Sequence, residues 1–330
     1  FLSDWENPIP ASLIMSYFVT LIFGGITGLM LSSILLIIKQ FNRDGRKRIP
    51  FWSYVTAKGK ISRAFAPYDP VFSFEKFEGQ IAMMTMPYLN TEYLGIKMDL
   101  PQDHPLSDLR IRRALNHGFD RRKMMLYLRK NIGIPATGGM IPLGLDGTLA
   151  SDSVNLYDPE LSLRLIEEYK REKGPIKPFV LQVNSDYRDL CEYIQSEWQR
   201  LGIPVSVEVI QTASLRQAMA TGKSDFFRAS WVGDYPDGEN YLSLFYGPNE
   251  SPKGPNYTHY SNPAFDRLYL EAVHTLDPSR RAALYRRADS LAMLDVPAVV
   301  LFYDQVIRFY NPALRNFTSN NLDLRAVSKE

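Results

Sequence analysis

Residues 179–237 alternate between two hydrophobic periods. Apolar side chains with the spacing of strands occur in three stretches, at 179–183, 205–209 and 226–231. Between them, residues 189–201 carry apolar side chains at the spacing of a helix that buries one face, and 215–220 form a shorter stretch of the same kind. Gly202 and Gly222 end these two helical stretches. Strand, helix, strand, helix and strand in this order predict a layered α/β domain.

Similar patterns lie on the N-terminal side of this region. Apolar positions 93, 94 and 96 predict a buried strand, and a helix is predicted to open at Pro105. The apolar side chains of that helix recur at helical spacing, at Ile111, Ala114, Leu115 and Phe119. Arg112 and Arg113 lie among them, and we interpret both as part of a solvated helix face.

Two further helices are predicted from their capping residues. Asp158 followed by Pro159 starts a helix that ends at Gly174, and Asp277 caps a helix over residues 281–293. Residues 297–303 then predict a buried strand.

The N-terminal part of the chain has a different pattern. Residues 7–38 contain no charged side chain, and this run is longer than the roughly 20 residues that cross a bilayer core. A buried core helix is the alternative to a transmembrane helix. We expect a membrane segment over residues 1–40, a linker over 41–83, and a globular domain over 84–330. Arg43, Arg46, Lys47 and Arg48 follow the apolar run, which predicts that the N-terminus lies outside the cell.

Composition excludes several functions. The formal net charge of +2 gives no basic field of the kind that binds nucleic acid. The four histidines have no metal-ligand spacing, and the single cysteine allows no internal disulfide. Neither a glycine-rich phosphate loop nor a nucleophile elbow occurs. We therefore expect no cofactor and no catalysis.

A candidate binding site follows the strand at 226–231. Trp231, Asp234 and Tyr235 stand where that strand ends, and ligands of α/β proteins bind at such strand ends. An aromatic side chain beside a carboxylate suits a ligand that has an apolar part and a cation. An edge strand followed by an acidic loop is the alternative interpretation.

The stretch Ser224–Asp237 resembles the signature near the hinge of the family 5 extracytoplasmic solute-binding proteins, which are the peptide, dipeptide and nickel binders of ABC importers. Ser230 stands where the family usually has Gly. Further text similar to the family lies in the same order at Ile111–Leu115, at Asp120-Arg121, at Tyr260–Asp266 and at 297–303. The resemblance covers about residues 84–315. It implies an incomplete bilobal fold, a periplasmic-binding-protein-like type II lobe, because residues 1–80 do not resemble the N-terminal half of the family.

The resemblance also implies a function and a site. In the peptide-binding members, an Asp at the position of Asp234 holds the ligand's α-ammonium group, and an Arg at the position of Arg228 lies near the ligand's carboxylate. Trp231 and Tyr235 are then expected to flank Asp234 and exclude water. The expected partners are short peptides, the permease subunits of an ABC importer and the membrane.

Two alternatives stay open beside a peptide-binding importer component. One is a membrane-tethered sensor or interaction module that reuses the same lobe without transport, and the other is an enzyme on this scaffold. The expected location is membrane-anchored with an extracytoplasmic, periplasmic binding domain. The basic run after residue 40 argues for the opposite orientation.

Overall fold

A computed structural model of the chain describes residues 81–149, 154–315 and 328–329. These residues belong to one of the chain's two compact units, Phe65–Glu330. The predicted membrane span at 7–38 and most of the predicted linker lie outside the described residues. In the part of the chain that is described, no helix is both long enough and apolar enough to span a bilayer.

The described elements follow one another in an α/β order. The strands are β1 (Ala82–Ile96), β2 (Ile134–Pro135), β3 (Phe179–Val183), β4 (Val205–Val209), β5 (Phe226–Val232), β6 (Ala298–Tyr310), β7 (Leu314–Arg315) and β8 (Ser328–Lys329). The helices are α1 (Leu109–His117), α2 (Arg121–Leu128), α3 (Pro159–Lys173), α4 (Arg188–Arg200), α5 (Thr212–Ala220), α6 (Glu239–Leu242), α7 (Pro263–His274) and α8 (Pro278–Asp295).

A six-stranded mixed sheet organises these elements, with the strand order β2-β6-β1-β5-β3-β4. β1 is antiparallel to both of its neighbours, whereas β3 is parallel to β4 and β5. The long strand β1 therefore lies between β5 and β6. Residues at the end of β5 consequently meet residues near the middle of β1, because Ser230 is paired with Glu92.

Helices cover both faces of the sheet, which gives three layers. Successive side chains of a strand point to opposite faces, so Leu94 and Tyr93 enter different hydrophobic cores. Helices α1–α4 contribute to the core that contains Leu94, and α5–α8 contribute to the core that contains Tyr93. The predicted layered α/β domain is confirmed.

The predicted caps are present. The Asp158 carboxylate accepts a hydrogen bond of 2.8 Å from the backbone N–H of Leu161, and α3 ends at Gly174 with φ of 82°. Asp277 likewise accepts from the backbone N–H of Arg280 at 2.7 Å. Each carboxylate satisfies an N–H group that has no partner inside its helix, so local sequence alone decides where these helices begin.

Several boundaries differ from the prediction. Pro105 opens a short 3-10 turn, and α1 begins only at Leu109 because Asp108 caps it through the backbone N–H of Arg110. Strand β6 continues to Tyr310, beyond the apolar stretch that predicted it. Its extension pairs with the first half of β1, and such pairing needs backbone groups but no apolar period.

The interpretation of Arg112 as a solvated residue is wrong. Arg112 is only 7% exposed, and its guanidinium donates to the backbone oxygens of Asp295, Leu106 and Ser107 at 2.9–3.0 Å. The 3-10 turn before α1 and the end of α8 bring these carbonyls together. Helical spacing assigned Arg112 correctly to its helix, but it gave no information about what packs over that position.

Candidate functional site

The loop after β5 is fixed by a close approach of two backbones. The N–H of Gly233 donates to the carbonyl oxygen of Leu89 at 2.9 Å, and Leu89 has the left-handed φ of 50°. The same carbonyl accepts from the Tyr241 hydroxyl. A Cβ atom at residue 233 would stand 2.6 Å from that hydroxyl oxygen, so any larger residue would have to displace the Tyr241 hydroxyl.

The buried amide of Asn240 orders the residues around Asp234. Its Oδ1 accepts a hydrogen bond of 2.7 Å from the Trp231 indole and one of 3.4 Å from the backbone N–H of Asp234. Asn240 is at the start of α6, so the helix holds both the aromatic ring and the peptide unit that carries the Asp234 carboxylate. Asn240 thus contacts both the Trp231 ring and the backbone of Asp234.

The Asp234 side chain itself is exposed. Within the described residues it has no hydrogen-bond or ion-pair partner. Tyr235 is 48% exposed, and its hydroxyl donates to Glu239, which also accepts from the Tyr269 hydroxyl. Water is therefore not excluded from Asp234 by Tyr235, and the loop carries a free carboxylate three residues after the Trp231 indole.

Arg228 lies three residues before Trp231 on the same strand, in a very different environment. It is 8% exposed and forms an ion pair with Glu92, which is 1% exposed. Its Nη1 also donates to Asn184 Oδ1 at 3.3 Å, and the Tyr187 ring centre lies 3.1 Å from the guanidinium carbon. The guanidinium thus has a carboxylate, an amide and an aromatic face as neighbours.

The Glu92 carboxylate accepts hydrogen bonds from three side chains. Besides Arg228, its carboxylate accepts from Asn90 Nδ2 and from the Tyr187 hydroxyl, both at 2.9 Å. Burial, together with the Glu92 carboxylate, raises the pKa of Tyr187 and keeps its hydroxyl a donor. A buried carboxylate requires such partners, because an unpaired charge in the interior costs several kcal/mol (on the order of 3–5).

A second ion pair extends this polar cluster. Arg129 contacts Asp304 at 3.2 Å, and Asp304 accepts weakly from Asn90 at 3.4 Å. Four buried polar atoms in the described part of the chain have no protein partner, and three of them are on residues of this cluster: Asn90 Oδ1, Arg129 Nε and Arg228 Nε, the fourth being Gln305 Oε1. Unsatisfied buried polar atoms are rare in proteins, and ordered water is their usual partner.

Sequence reasoning missed most of this cluster. Glu92 and Asn90 are polar residues on the buried face of β1, two and four positions before Leu94, and that alternation is visible in the sequence. A polar residue two or four positions from a buried residue of the same strand is itself expected to be buried. Nevertheless, neither Glu92 nor Asn90 was singled out from the sequence. Tyr187 and Asn184 follow β3 and carry no such signal.

An aspartate, a histidine and a serine form a hydrogen-bonded chain beyond the other end of β1. His259 Nδ1 is 2.9 Å from Asp99 Oδ2, and His259 Nε2 is 2.8 Å from Ser251 Oγ. Nucleophilic catalysis requires an accessible hydroxyl and free N–H donors for an oxyanion. Ser251 is buried, and its own N–H donates to the carbonyl of Asn256. The hydrogen bonds from Asp99 through His259 to Ser251 therefore fasten the loop that carries Ser251 to the residues after β1.

A metal site has no support in the described residues, which contain no group of three or more metal-ligating side chains. The lone Cys191 is buried, and burial raises the pKa of its thiol to about 12. Its thiol is therefore protonated at neutral pH and a poor nucleophile.

Comparison with known proteins identifies the family. The sequence profile of the bacterial extracellular solute-binding proteins, family 5 middle, matches residues 56–253. The chain belongs to this family. The matched region includes β5, the loop with Asp234, and the Glu92–Arg228 pair.

Individual members of the family show how far the similarity extends. The dipeptide-binding protein of Escherichia coli K12 is 26% identical over 70% of this chain and 43% of its own length. The probable deoxycholate-binding periplasmic protein YgiS of the same organism is 26% identical over 82% of this chain and 50% of its own length. The structure of HbpA2 from Haemophilus parasuis has a TM-score of 0.70 at 20% identity, and the match covers 77% of this chain and 51% of that one.

The chain spans about half the length of the curated relatives that it matches. The fold of the described residues is that of type II periplasmic binding proteins, in agreement with the prediction. The relatives' names include both a peptide binder and a bile-salt binder, so the family alone does not define the ligand.

Proposed function

We propose that this protein is the solute-binding component of an ABC-type importer and that it binds short peptides through their α-ammonium group. The observation that carries the proposal is the Asp234 carboxylate. It is exposed at the end of β5, it has no partner among the described residues, and it lies beside Trp231 on a loop held by Asn240.

A free carboxylate on the same loop as an indole suits a peptide N-terminus. The ammonium group is present in every unmodified peptide whatever its sequence, so one carboxylate can recognise many peptides. The neighbouring ring offers an apolar face to the first side chain and reduces the local dielectric constant once a ligand covers the loop, which strengthens the ion pair. The dipeptide-binding protein of E. coli, one of the relatives, supports this ligand class.

The binding test uses calorimetry with trialanine and its N-acetylated form. The acetyl group removes the positive charge and leaves the rest of the peptide unchanged. We expect N-acetylation to weaken affinity by about tenfold or more, equivalent to about 1.4 kcal/mol or more. Asp234→Asn keeps the shape and removes the charge, and should weaken the binding of trialanine by a similar factor. Asp146→Asn, another exposed aspartate on a loop, is the matched control and should bind as the parent does.

Equal affinity of the parent for both peptides, or full affinity in Asp234→Asn, would show that Asp234 is not the anchor. Absence of binding by either peptide would contradict peptide recognition as a whole.

Transport is the wider part of the proposal. Relatives named as periplasmic support an extracytoplasmic location, and an importer requires permease subunits as partners. The uncharged run at 7–38 favours a second candidate, a membrane-tethered sensor that uses the same lobe without transport. Growth of an amino-acid auxotroph that receives its required amino acid only as a peptide, with this protein as its only peptide-binding protein, distinguishes the two. A sensor supports no uptake and therefore no growth.

A further inference from the structure

The six-stranded sheet has a gap at the end where β3 and β5 begin. β3 starts at Phe179, but it is paired with β5 only between Gln182 and Phe227. Within the described part of the chain, the first residues of β3 therefore have no strand pairing on the β5 side. A cavity of about 260 Å³ lies here, lined by β3, by residues just before β5 and by the turn before α1.

This cavity is separate from the loop that carries Asp234. Lys223 and Asp225, which line the cavity, precede β5, whereas Asp234 follows it. β5 has seven residues, and a strand rises about 3.3 Å per residue, so roughly 20 Å separates the two places. A small ligand in the cavity does not reach Asp234, and the cavity is independent of the proposed peptide site.

Two lining residues carry opposite charges that are not paired. The Lys223 ammonium and the Asp225 carboxylate are both exposed, and neither has a hydrogen-bond or ion-pair partner among the described residues. They also do not pair with each other, although they line the same cavity. The neighbouring Lys177, in contrast, contacts Asp103 at 2.8 Å. The cavity therefore offers one cation and one anion to a ligand.

His104 supplies a further donor to the cavity. Its Nδ1 accepts a hydrogen bond of 3.2 Å from the backbone N–H of Leu106. Burial lowers the pKa of His104, and the Asp225 carboxylate opposes that shift only in part, so the imidazole is neutral at pH 7. A neutral imidazole whose Nδ1 accepts carries its proton on Nε2. This N–H has no acceptor in the parts of the chain that are described.

The remaining wall is apolar and already fixed. Val180 is 44% exposed, and the buried Phe179 beside it packs into the core. The polar lining residue Gln182 is satisfied, because its Oε1 accepts from the Ser224 hydroxyl at 2.6 Å and its Nε2 donates to Glu208 at 2.9 Å. Packing and hydrogen bonds thus hold this wall before a ligand arrives, which reduces the entropy lost on binding.

We infer that this cavity binds a free α-amino acid with an aliphatic side chain. The ammonium group pairs with Asp225, the carboxylate accepts from the Lys223 ammonium and from His104 Nε2, and the side chain covers Val180. An amino acid carries one charge of each sign on a compact group, which matches the two unpaired charges of the cavity and allows charge-assisted hydrogen bonds to both.

The size of the cavity and its charges exclude other ligand classes. Its volume of about 260 Å³ lies below the roughly 300–1,000 Å³ of pockets that hold drug-sized molecules, so the ligand is smaller than those. A dianion would leave Asp225 unpaired and would be repelled by it, and a dication would have the same relation to Lys223. An apolar molecule would leave both charges without a partner.

The first experiment measures the binding of L-leucine to the full 330-residue chain by calorimetry. Three related compounds each lack one feature: N-acetyl-leucine has no positive charge, leucinamide has no carboxylate, and glycine has no side chain. We expect each of them to bind about fivefold or more weakly than leucine, because each leaves one wall of the cavity without its partner.

Variants at exposed residues locate the ligand. Asp225→Asn and Lys223→Gln each remove one charge and should weaken leucine binding by about fivefold or more, while trialanine binds within about twofold of the parent. Asp234→Asn should have the opposite pattern. Lys253→Gln removes the charge of another exposed lysine on a loop and is the matched control, expected to bind leucine as the parent does.

The His104 ring gives a second measurement of position, one that needs no change in the charges of the cavity. The chain has four histidines, so comparison with His104→Gln assigns the ring signals of His104 in an NMR spectrum. Leucine should shift these signals in the parent and leave those of His274, exposed on α7, unchanged.

Each result has a defined consequence. Absence of leucine binding to the parent up to about 10 mM, or equal affinity for leucine, N-acetyl-leucine and leucinamide, overturns the inference. Full leucine affinity in both Asp225→Asn and Lys223→Gln, with unshifted His104 signals, also overturns it and assigns leucine to another place. Because trialanine is measured separately, a failure of the proposed peptide binding does not change the result for leucine.

Discussion

Two buried arginines of this domain have opposite kinds of neighbourhood. Arg121, at the start of α2, is 3% exposed and donates to the backbone oxygens of Val300, Asn116 and Asn155 and to the Asn116 side chain at 2.7–3.1 Å. No carboxylate contacts its guanidinium among the described residues. Arg228, the third residue of β5, pairs instead with a carboxylate, and its Nε has no partner among the described residues.

The difference shows that burial of a charge does not by itself identify a functional residue. Backbone carbonyls are fixed by the fold, so Arg121 fastens α1, β6 and the segment at residue 155 to one another. Burial lowers its pKa to about 9, which still leaves the guanidinium charged at neutral pH. Arg228 is surrounded by side chains and retains an unused donor. The two arginines therefore differ in the nature of their partners, which are mainly backbone oxygens for Arg121 and side chains for Arg228.

The largest effect is expected at Arg121. Arg121→Met keeps an apolar side chain over the Phe119 ring but leaves buried carbonyl oxygens without donors. We expect a loss of about 3–5 kcal/mol in the free energy of unfolding, because each unsatisfied buried group costs about 1–3 kcal/mol. Urea denaturation measures this loss, with Arg164→Met on the exposed face of α3 as the control, expected within about 0.5 kcal/mol of the parent. A loss below about 1 kcal/mol would break the comparison, since Arg121 would then not be a structural anchor.

Asp289 extends the comparison to an anion with backbone partners. It is fully buried on α8 and accepts from the backbone N–H groups of Met140 and Ile141 at 2.9 and 3.2 Å. Burial raises its pKa from 3.8 to about 6, and the two hydrogen bonds oppose that rise. Between about pH 4 and pH 6, the Asp289 carboxyl is therefore protonated in the folded protein and ionised in the unfolded chain.

The sign of the pH effect follows from this shift. Stability contributed by Asp289 is fully present below a pH of about 4 and is lost as the pH rises through about 6, a change of about 3 kcal/mol. Asp289→Asn does not titrate, so the parent should lose stability relative to this variant between pH 4 and pH 7 (about 3 kcal/mol). Chemical denaturation of both proteins across this range measures the difference. Parallel pH profiles would mean that Asp289 is ionised throughout.

The smallest effect on stability is expected at the site itself. Asp234 is exposed and has no partner among the described residues, so Asp234→Asn should change the free energy of unfolding by less than about 0.5 kcal/mol. The same variant is expected to lose affinity for an unmodified peptide. Thermal melting alongside calorimetry tests this separation of stability from binding. A large loss of stability would show that Asp234 supports the loop, and any change in binding would then be indirect.

Local sequence predicted an element correctly where a cap or a side-chain period within a few neighbouring residues defines that element. Asp158 and Asp277 cap the helices they were expected to cap. Strands β3 and β4 both have the predicted bounds. Predictions failed where a distant segment supplies the partner. Arg112 looks like a solvated residue until the carbonyl of Asp295 is brought to it by the end of α8.

The sequence by itself determined the α/β class, the position of Asp234 after a strand, and the family, because side-chain periods, caps and motif order are properties of neighbouring residues. Only the tertiary structure decided what Arg228 binds. Glu92 is 136 positions away, and it meets Arg228 because β1 and β5 pair antiparallel in a register that places Leu94 opposite Arg228 and puts both charges on one face. A shift of that register by one residue would place Glu92 on the opposite face of the sheet, so the pairing of strands, and no local pattern, neutralises this arginine.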